Sequence, residues 1–367
     1  MKIAIIGLGQ MGGYYVNTLL KAGVKASAIV GVDIDPAKVA AAKKKFPSIA
    51  FQDSLDSMEV DAAIVATNTP SHHPVLISLM ERNVRWLICE KPLGIDMSAI
   101  NQVRDVMLRT KSYIFTAFLM NFSPALLYVI DKMQTENLVL AEGSVVWGKN
   151  RYGDKRPTPG DLEDETVHGA GVLHNLCVVN QEILSIAVMG RLTHPTFASA
   201  EAQAKAHALD PSFPTKVNAS TMVIESISTN KGEVLCNMHS SFIGSHQVRR
   251  VTAVLSRADN PSQPVYTVEF NFDVKTSSAI VDHLTVTTLD GNTVERLEFV
   301  CDKLSDQTKA FMAAARGDAI DPRLTDYNEA RKAVAFTEAV LASHQIGGGI
   351  VSAYTMGDVV DLKQVAA

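Results

Sequence analysis

Met1-Lys-Ile-Ala-Ile-Ile-Gly7-Leu-Gly9-Gln10-Met11-Gly12 opens the chain, and its reading decides the fold. Lys2 to Ile6 is an apolar run without alternation, the pattern of a strand buried on both faces. It breaks into glycines at the spacing G-x-G-x-x-G, and Met11 to Ala22 continues as a helical pattern. A strand, a glycine turn and a helix N-terminus make a pyrophosphate site, because the first N–H groups of the helix point at the ligand. In this reading Gly7 makes the tight turn, Gly9 lets the backbone approach phosphate, and Gly12 lets helix and strand pack closely. Gln10 and Met11 lie between them and join the expected cofactor contacts.

The glycine spacing alone is weak, since glycine turns are common, and its context is what strengthens it. A second apolar strand, Ala28 to Val32, ends in Asp33, about 20 residues beyond the glycines. At a strand tip this carboxylate can accept hydrogen bonds from both ribose hydroxyls of an adenosine. The bland alternative is a structural turn and a surface Asp. Ile34, Asp35 and Pro36 follow, with Lys38 the nearest cation. A ribose 2′-phosphate needs a cation and space, so NAD(H) is expected over NADP(H).

At 367 residues the chain exceeds one typical core, and two domains are expected. Apolar residues make up 47%, enough for a packed interior, and the net charge is −5. No Lys/Arg block marks a nucleic-acid or membrane surface. The apolar N-terminus is interrupted by glycines and reads as a strand, not a secretion signal. No run approaches the ~20 apolar residues of a membrane span. Cys89, Cys177, Cys236 and Cys301 are scattered without a C-x-x-C, which fits free thiols in a reducing cytoplasm and no metal site.

Strand and helix patterns alternate through the first ~120 residues, as in a parallel sheet covered on both faces. After Asn121-Phe-Ser-Pro124 one helix remains, Ala125 to Thr135. Long alternating strands then follow: Leu138 to Val146, Thr221 to Ser228, Glu233 to Phe242, Val248 to Leu255, Val265 to Phe272, and His283 to Phe299 folded at Asp290-Gly291. An insertion with loops and a helix is expected over Gly148 to Lys216. Two helices, Ser305 to Ala315 and Asp326 to His344, precede a tail from Val351 that can cross back over the first domain.

Two further strand ends carry chemistry. Thr67 and Asn68, in Ala66-Thr-Asn-Thr-Pro-Ser-His72-His73, can give polar contacts on the nicotinamide side. The alternative is a helix cap at Ser71 with His72 and His73 as packing residues; His72 is also counted among the expected cofactor contacts. Cys89-Glu90-Lys91-Pro92-Leu-Gly94 follows a buried strand. A Lys at that depth would lose solvation, lowering its pKa toward use as an acid or base. Glu90 could orient it or the nicotinamide. An ordinary solvated Lys is the alternative.

These residues, above all Glu90-Lys91-Pro92 behind a dinucleotide loop, resemble the glucose–fructose oxidoreductase / inositol dehydrogenase (Gfo/Idh/MocA) family over nearly the whole chain. Phe122-Ser-Pro124 is similar to the family's crossover segment, and Leu324 to Arg331 to its final helix. The fold expected is α/β: a doubly wound (Rossmann) domain over 1–122, then an α+β domain over 123–367 with an open, mostly antiparallel sheet. The resemblance implies NAD, a sugar, cyclitol or other polyhydroxylated substrate, and homodimers or homotetramers formed through the sheet. It places Lys91 beside the nicotinamide, touching the substrate hydroxyl or carbonyl. Asn121 joins the expected substrate contacts.

The family usually carries an Asp and, four residues on, a His that exchanges the proton. The matching stretch here is His168-Gly-Ala-Gly-Val-Leu-His174-Asn175-Leu-Cys-Val-Val179. Asn175 stands for the Asp and Val179 for the His, so the usual base is missing. Lys91 can carry the proton itself, or His174, His168 or Tyr152 can replace the His. His174 is turned by about 100° from Asn175 on a helix and is equally a core residue. Alternatively the substrate differs, or the protein binds a dinucleotide without chemistry. Tyr152 and Arg156, in the polar loop before this helix, could meet hydroxyls, a carboxylate or a phosphate. The activity expected is hydride transfer to or from a secondary alcohol or ketone, with Lys91, His174 and Asn175 as catalytic candidates. The alternatives are tightly held NAD driving elimination or glycoside cleavage by transient oxidation, and a ligand-sensing regulator.

Overall fold

The computed structural model describes residues 1–56, 58–151, 158–193, 200–209, 217–244 and 247–355. They form two compact units. The first comprises Met1–Leu119 and Lys303–Val334, and the second Met120–Asp302 together with the described residues from Ala335 on.

The first unit begins β1 (Ile3–Ile6), α1 (Gln10–Lys21), β2 (Ile29–Val32), α2 (Pro36–Lys45), β3 (Ala50–Gln52) and β4 (Ala62–Val65). It continues α3 (His72–Glu81), β5 (Trp86–Glu90), α4 (Met97–Thr110) and β6 (Tyr113–Ala117). All six strands are parallel, in the order β3-β2-β1-β4-β5-β6. This is the doubly wound arrangement read from the alternating patterns. β1 and β4 are buried along their whole length, as unalternating apolar runs require. Local chemistry sets the helix starts. Asp35 caps α2 by accepting from Ala37 N at 2.9 Å, with Pro36 at the first helical position, and Asp96 caps α4 through Ala99 N at 2.7 Å.

The second unit begins α5 (Pro124–Thr135), β7 (Leu138–Gly148), α6 (Val167–Cys177), β8 (Ile183–Thr193), α7 (Ala200–Leu209), β9 (Ser220–Thr229) and β10 (Gly232–Ser241). β11 (Val248–Arg257), β12 (Pro264–Lys275), β13 (Ile280–Thr288) and β14 (Thr293–Val300) follow. α8 (Lys303–Ala315) belongs to the first unit, α9 (Tyr327–Gln345) is shared between the units, and β15 (Val351–Thr355) returns to the second. The nine strands lie in the order β14-β13-β12-β11-β7-β10-β9-β8-β15. Every pair is antiparallel except β7 with β10, which run parallel with Ser241 opposite Gly148.

α6 lies close on this sheet because two positions lack side chains. A Cβ on Gly169 would meet Val145 Cγ1 at 2.4 Å, and one on Gly143 would meet Leu173 at 2.7 Å. The glycines expected to lead into a helix are therefore inside it, where they let the helix sit down on β7.

Two expectations change. β8 runs through the region read as an insertion. Of the tail expected to cross back over the first domain, Val351–Thr355 pairs with β8, and the rest lies outside the described residues. Lys303–Val334, read as part of the second domain, packs with the first, where Tyr327, Ala330 and Val334 join the core of β1, β4, β5, α3 and α4. Tyr327 OH donates to Ile100 O at 3.1 Å and anchors α9 there.

Candidate active site

The glycine turn has the form the motif demands. Gly7 is at φ +94°, and a Cβ there would meet Ala66 O at 2.6 Å. A Cβ on Gly12 would meet Gly7 O at 1.9 Å. Around a Cβ on Gly9 nothing lies within 4 Å, so that face is open to a ligand. Gly9 is also the N-cap of α1 and gives no side-chain cap, leaving the first-turn N–H groups to an anion. These features fit a dinucleotide pyrophosphate. Gln10 is exposed and its amide donates to Tyr14 OH at 2.9 Å; Met11 is half-buried.

Asp33 is 7% exposed, and the chain presets its carboxylate. Oδ2 accepts from Leu8 N at 2.8 Å, Oδ1 accepts from Asp35 N at 2.9 Å, and Lys38 Nζ stands 3.8 Å from Oδ2. Each carboxylate oxygen keeps a second lone pair for a ribose hydroxyl. Ile34 is exposed beside it.

β4 and β5 bring the other strand ends to the same edge of the sheet. Thr67 is half-buried and Asn68 exposed, and Ser71 Oγ donates to Asn68 Oδ1 at 2.5 Å instead of capping α3. His72 is buried, with Nδ1 2.7 Å from Pro92 O and Nε2 3.2 Å from Thr67 O. Both ring nitrogens face backbone carbonyls inside the protein, so His72 has none to give a cofactor. That corrects its reading as a contact. Burial and then the charge of Lys91 push its pKa down to about 4, against the two carbonyl contacts, which raise it. Glu90 accepts from Tyr15 OH at 2.8 Å, and Lys91 beside it is half-buried.

In the second unit, α6 carries the substrate-side candidates. Asn175 Nδ2 donates to Asn121 Oδ1 at 2.9 Å and to Gly171 O at 2.8 Å. Since Gly171 O can only accept, the amide orientation is fixed, and Asn175 Oδ1 remains an acceptor. His174 Nε2 lies 2.8 Å from Oε1 of Glu225, which is wholly buried, and its ring meets Phe336 edge-on. His174 is thus a core partner of Glu225. His168 stacks on Trp147 at 6.0 Å between centroids. The helix ends at Cys177, so Val179 is past it and 5% exposed in the core, and the pairing of 175 with 179 on one helical face does not form. Tyr152 and Arg156 lie outside the described residues.

Sequence reading missed the brace that supports α6. Asp161 to Thr166 precedes it, with Leu162–Thr166 in a π-helical turn. Glu165 accepts from Trp147 Nε1 at 2.9 Å and pairs with Lys149, while Asp164 takes Lys149 at 3.1 Å and Arg151 at 3.0 Å. The run Asp161-Leu-Glu-Asp-Glu165 is acidic in sequence, and only the fold shows Asp161 and Glu165 buried. Asp273, Asp282 and Cys301 also lie within 4.8 Å of one another, but Asp282 already accepts from Ser123 Oγ and Asp273 N, and Asp273 pairs with Arg249.

The fold and its glycine crevice define a Rossmann-type dinucleotide-binding protein. Residues 1–118 match the model described as oxidoreductase family, NAD-binding Rossmann fold. This segment, about a third of the chain, is similar to the NAD-binding domain of the Gfo/Idh/MocA oxidoreductases. The chain is 32% identical over 100 residues to the inositol 2-dehydrogenase of Arthrobacter sp. (strain FB24), covering 26% of this chain and 29% of that one. It is 22% identical over 203 residues to that of Rubrobacter xylanophilus, covering 53% and 57%. The chain thus matches less than two thirds of either relative's length. Among solved structures, levoglucosan dehydrogenase in complex with NADH and levoglucosan superposes with a TM-score of 0.71 at 14% identity, over 96% of this chain and 98% of that one. At that identity the likeness establishes the fold. Among the described residues, no helix is long and apolar enough to cross a membrane.

Proposed function

We propose that the protein is an NAD-dependent oxidoreductase that moves a hydride to or from a secondary alcohol or ketone of a sugar, cyclitol or related polyhydroxylated metabolite. The observation that carries this reading is Lys91. It stands at the tip of β5, half-buried, on the sheet edge where the open Gly9 face and the preset Asp33 carboxylate lie. A ligand in such sheets binds beyond the carboxyl ends of the strands, where the strand order reverses. Asp33 with Ile34 favours NAD over NADP.

When bound, the nicotinamide supplies the hydride acceptor or donor. Lys91 is assigned the hydroxyl proton: in the oxidative direction its neutral amine takes the proton from the alcohol, and in reduction the ammonium returns it. Thr67 and Asn68 line the same crevice. In the second unit, the Asn175 amide can accept from a hydroxyl through Oδ1 and cannot take a proton. Its Nδ2 hydrogens are committed to Asn121 and Gly171. Inositol 2-dehydrogenase relatives support a cyclitol or sugar substrate.

The test is a panel of polyols, sugars and amino sugars with NAD, read as NADH absorbance, for the intact chain and Lys91→Ala. The expected result is turnover with at least one polyol and a ~100-fold or greater fall in kcat/KM for the variant, with NADH still bound. Undiminished turnover by Lys91→Ala would remove the assignment of the proton. Tightly retained NAD with no net NADH across the panel would favour transient oxidation driving an elimination or glycoside cleavage.

A further inference from the structure

Each chain neighbour of Lys91 has a buried partner. On one side Tyr15, 1% exposed, donates its hydroxyl to Glu90 Oε1 at 2.8 Å. Tyr15 sits on α1, whose N-terminus is the glycine turn, so this bond ties the phosphate-binding helix to the tip of β5. On the other side His72, also 1% exposed, reaches Pro92 O through Nδ1 and Thr67 O through Nε2. His72 opens α3, so its ring spans the loop after β4 and the loop after β5.

We infer that Tyr15 and His72 are positioning residues that brace the Glu90-Lys91-Pro92 turn from both sides and so set the reach of Lys91. The inference rests on the role given to Lys91 above. Both carbonyls facing His72 only accept, and a neutral imidazole has a single N–H. The shorter contact, 2.7 Å, places that N–H at Nδ1. The Nε2 lone pair then faces Thr67 O without a hydrogen bond, and the ring acts there as a spacer of fixed width. An apolar side chain of similar size would fill the space but would not hold the Pro92 carbonyl. Neither brace residue is exposed enough to touch a ligand, so each acts through the turn. Displacing a reacting group by about 1 Å can cost ~100-fold in rate, which is the scale on which losing either brace is expected to act.

The experiment compares the full chain with Tyr15→Phe, His72→Leu and His72→Asn. Asn sets an amide N–H near the place of Nδ1–H and so restores the bond to Pro92 O. NADH affinity, the emission spectrum of bound NADH, and kcat and KM for an active polyol are measured. Tyr15→Phe and His72→Leu are expected to bind NADH within about twofold of the parent. Their kcat is expected to fall ~10–100-fold at little-changed KM, with a shifted nicotinamide emission. His72→Asn is expected to recover most of both signals. If kcat and emission of Tyr15→Phe and His72→Leu match the parent, or if Asn at position 72 does no better than Leu, the brace is wrong. If the parent turns over no polyol, the dehydrogenase reading fails by itself, and the emission comparison alone decides the brace. Should His72→Leu not fold, Tyr15→Phe, which removes one oxygen, decides.

Discussion

Single residues separate binding from folding in the glycine turn. Gly9 and Gly12 belong to one motif, yet their surroundings differ completely. A methyl on Gly12 collides with the Gly7 carbonyl, so Gly12→Ala is expected to cost ~1–3 kcal/mol or more and to abolish NADH binding, read by thermal melting and fluorescence titration. A methyl on Gly9 meets no protein atom, so Gly9→Ala should melt within ~0.5 kcal/mol of the parent. Its NADH affinity should nonetheless fall about tenfold or more. Equal behaviour of the two variants would mean that the open face of Gly9 is not the phosphate site. His174 makes the opposite case, a residue with chemical potential used for structure. Removing it leaves the Glu225 carboxylate buried without its partner, and His174→Ala is expected to destabilise by ~3–5 kcal/mol. The Glu225→Gln/His174→Ala double variant should recover part of that loss in a denaturant titration. A His174→Ala protein that is as stable as the parent but inactive would return His174 to the catalytic candidates.

At the scale of elements, α6 depends on the acidic turn ahead of it. Burial is the main cause that raises the Asp161 carboxyl from its usual range to about 7, with Glu165 and Asp164 adding to it, while hydrogen bonds from Ser240 and Thr221 oppose it. A carboxyl raised in the folded state holds its proton while the unfolded chain has lost it. Its contribution is therefore complete below about pH 4 and is lost as pH rises toward 7. Asp161→Asn is expected to flatten the decline of melting temperature between those limits; an unchanged slope would mean that the carboxyl is ionised in the fold. Which elements could be read in advance follows the same division between local and distant causes. β1, the glycine turn and α1 are specified within about twenty residues, by an apolar run, φ > 0 at Gly7 and a helix start. β8 was not legible because Leu184 and Met189 are apolar and exposed, so inward Ile183, Ile186 and Val188 do not stand out in period two. β3 is too short, and β15 exists only through its partner. Of the candidate residues, the strand-end positions of Lys91 and Asp33 were legible from spacing, whereas His72, His174 and Glu165 take partners distant in sequence.

At the scale of the whole molecule, α5 and α6 pack on the nine-stranded sheet, and among the described residues the opposite face bears exposed apolar side chains. On that face Met189, Ile224 and Asn237 stand in one row, with Met222 and Leu235 in neighbouring positions of β9 and β10. Met222 and Leu235 are each 57% exposed. A contiguous apolar patch of this kind marks an association surface. We propose homodimers or homotetramers formed through it. Light scattering should give a multimer for the parent and a smaller mass for Met222→Glu/Leu235→Glu. A monomeric parent at micromolar concentration would contradict the proposal.

The parallel pairing of β7 with β10 carries a cost in time. Most other neighbours in that sheet are closed by short connections or by the docking of an edge, but β7 also pairs with β11, Gly148 opposite Val248. The centre, however, requires residues as far apart as Gly148 and Ser241 to meet in register, with α6, β8, α7 and β9 in between. Pairings of such sequence separation must be closed before they are rewarded, and they slow folding. During synthesis both edges of β7 wait for partners made later, β10 on one side and β11 on the other. The middle of the sheet, its most buried part when finished, is the part most in need of protection while the chain is being made.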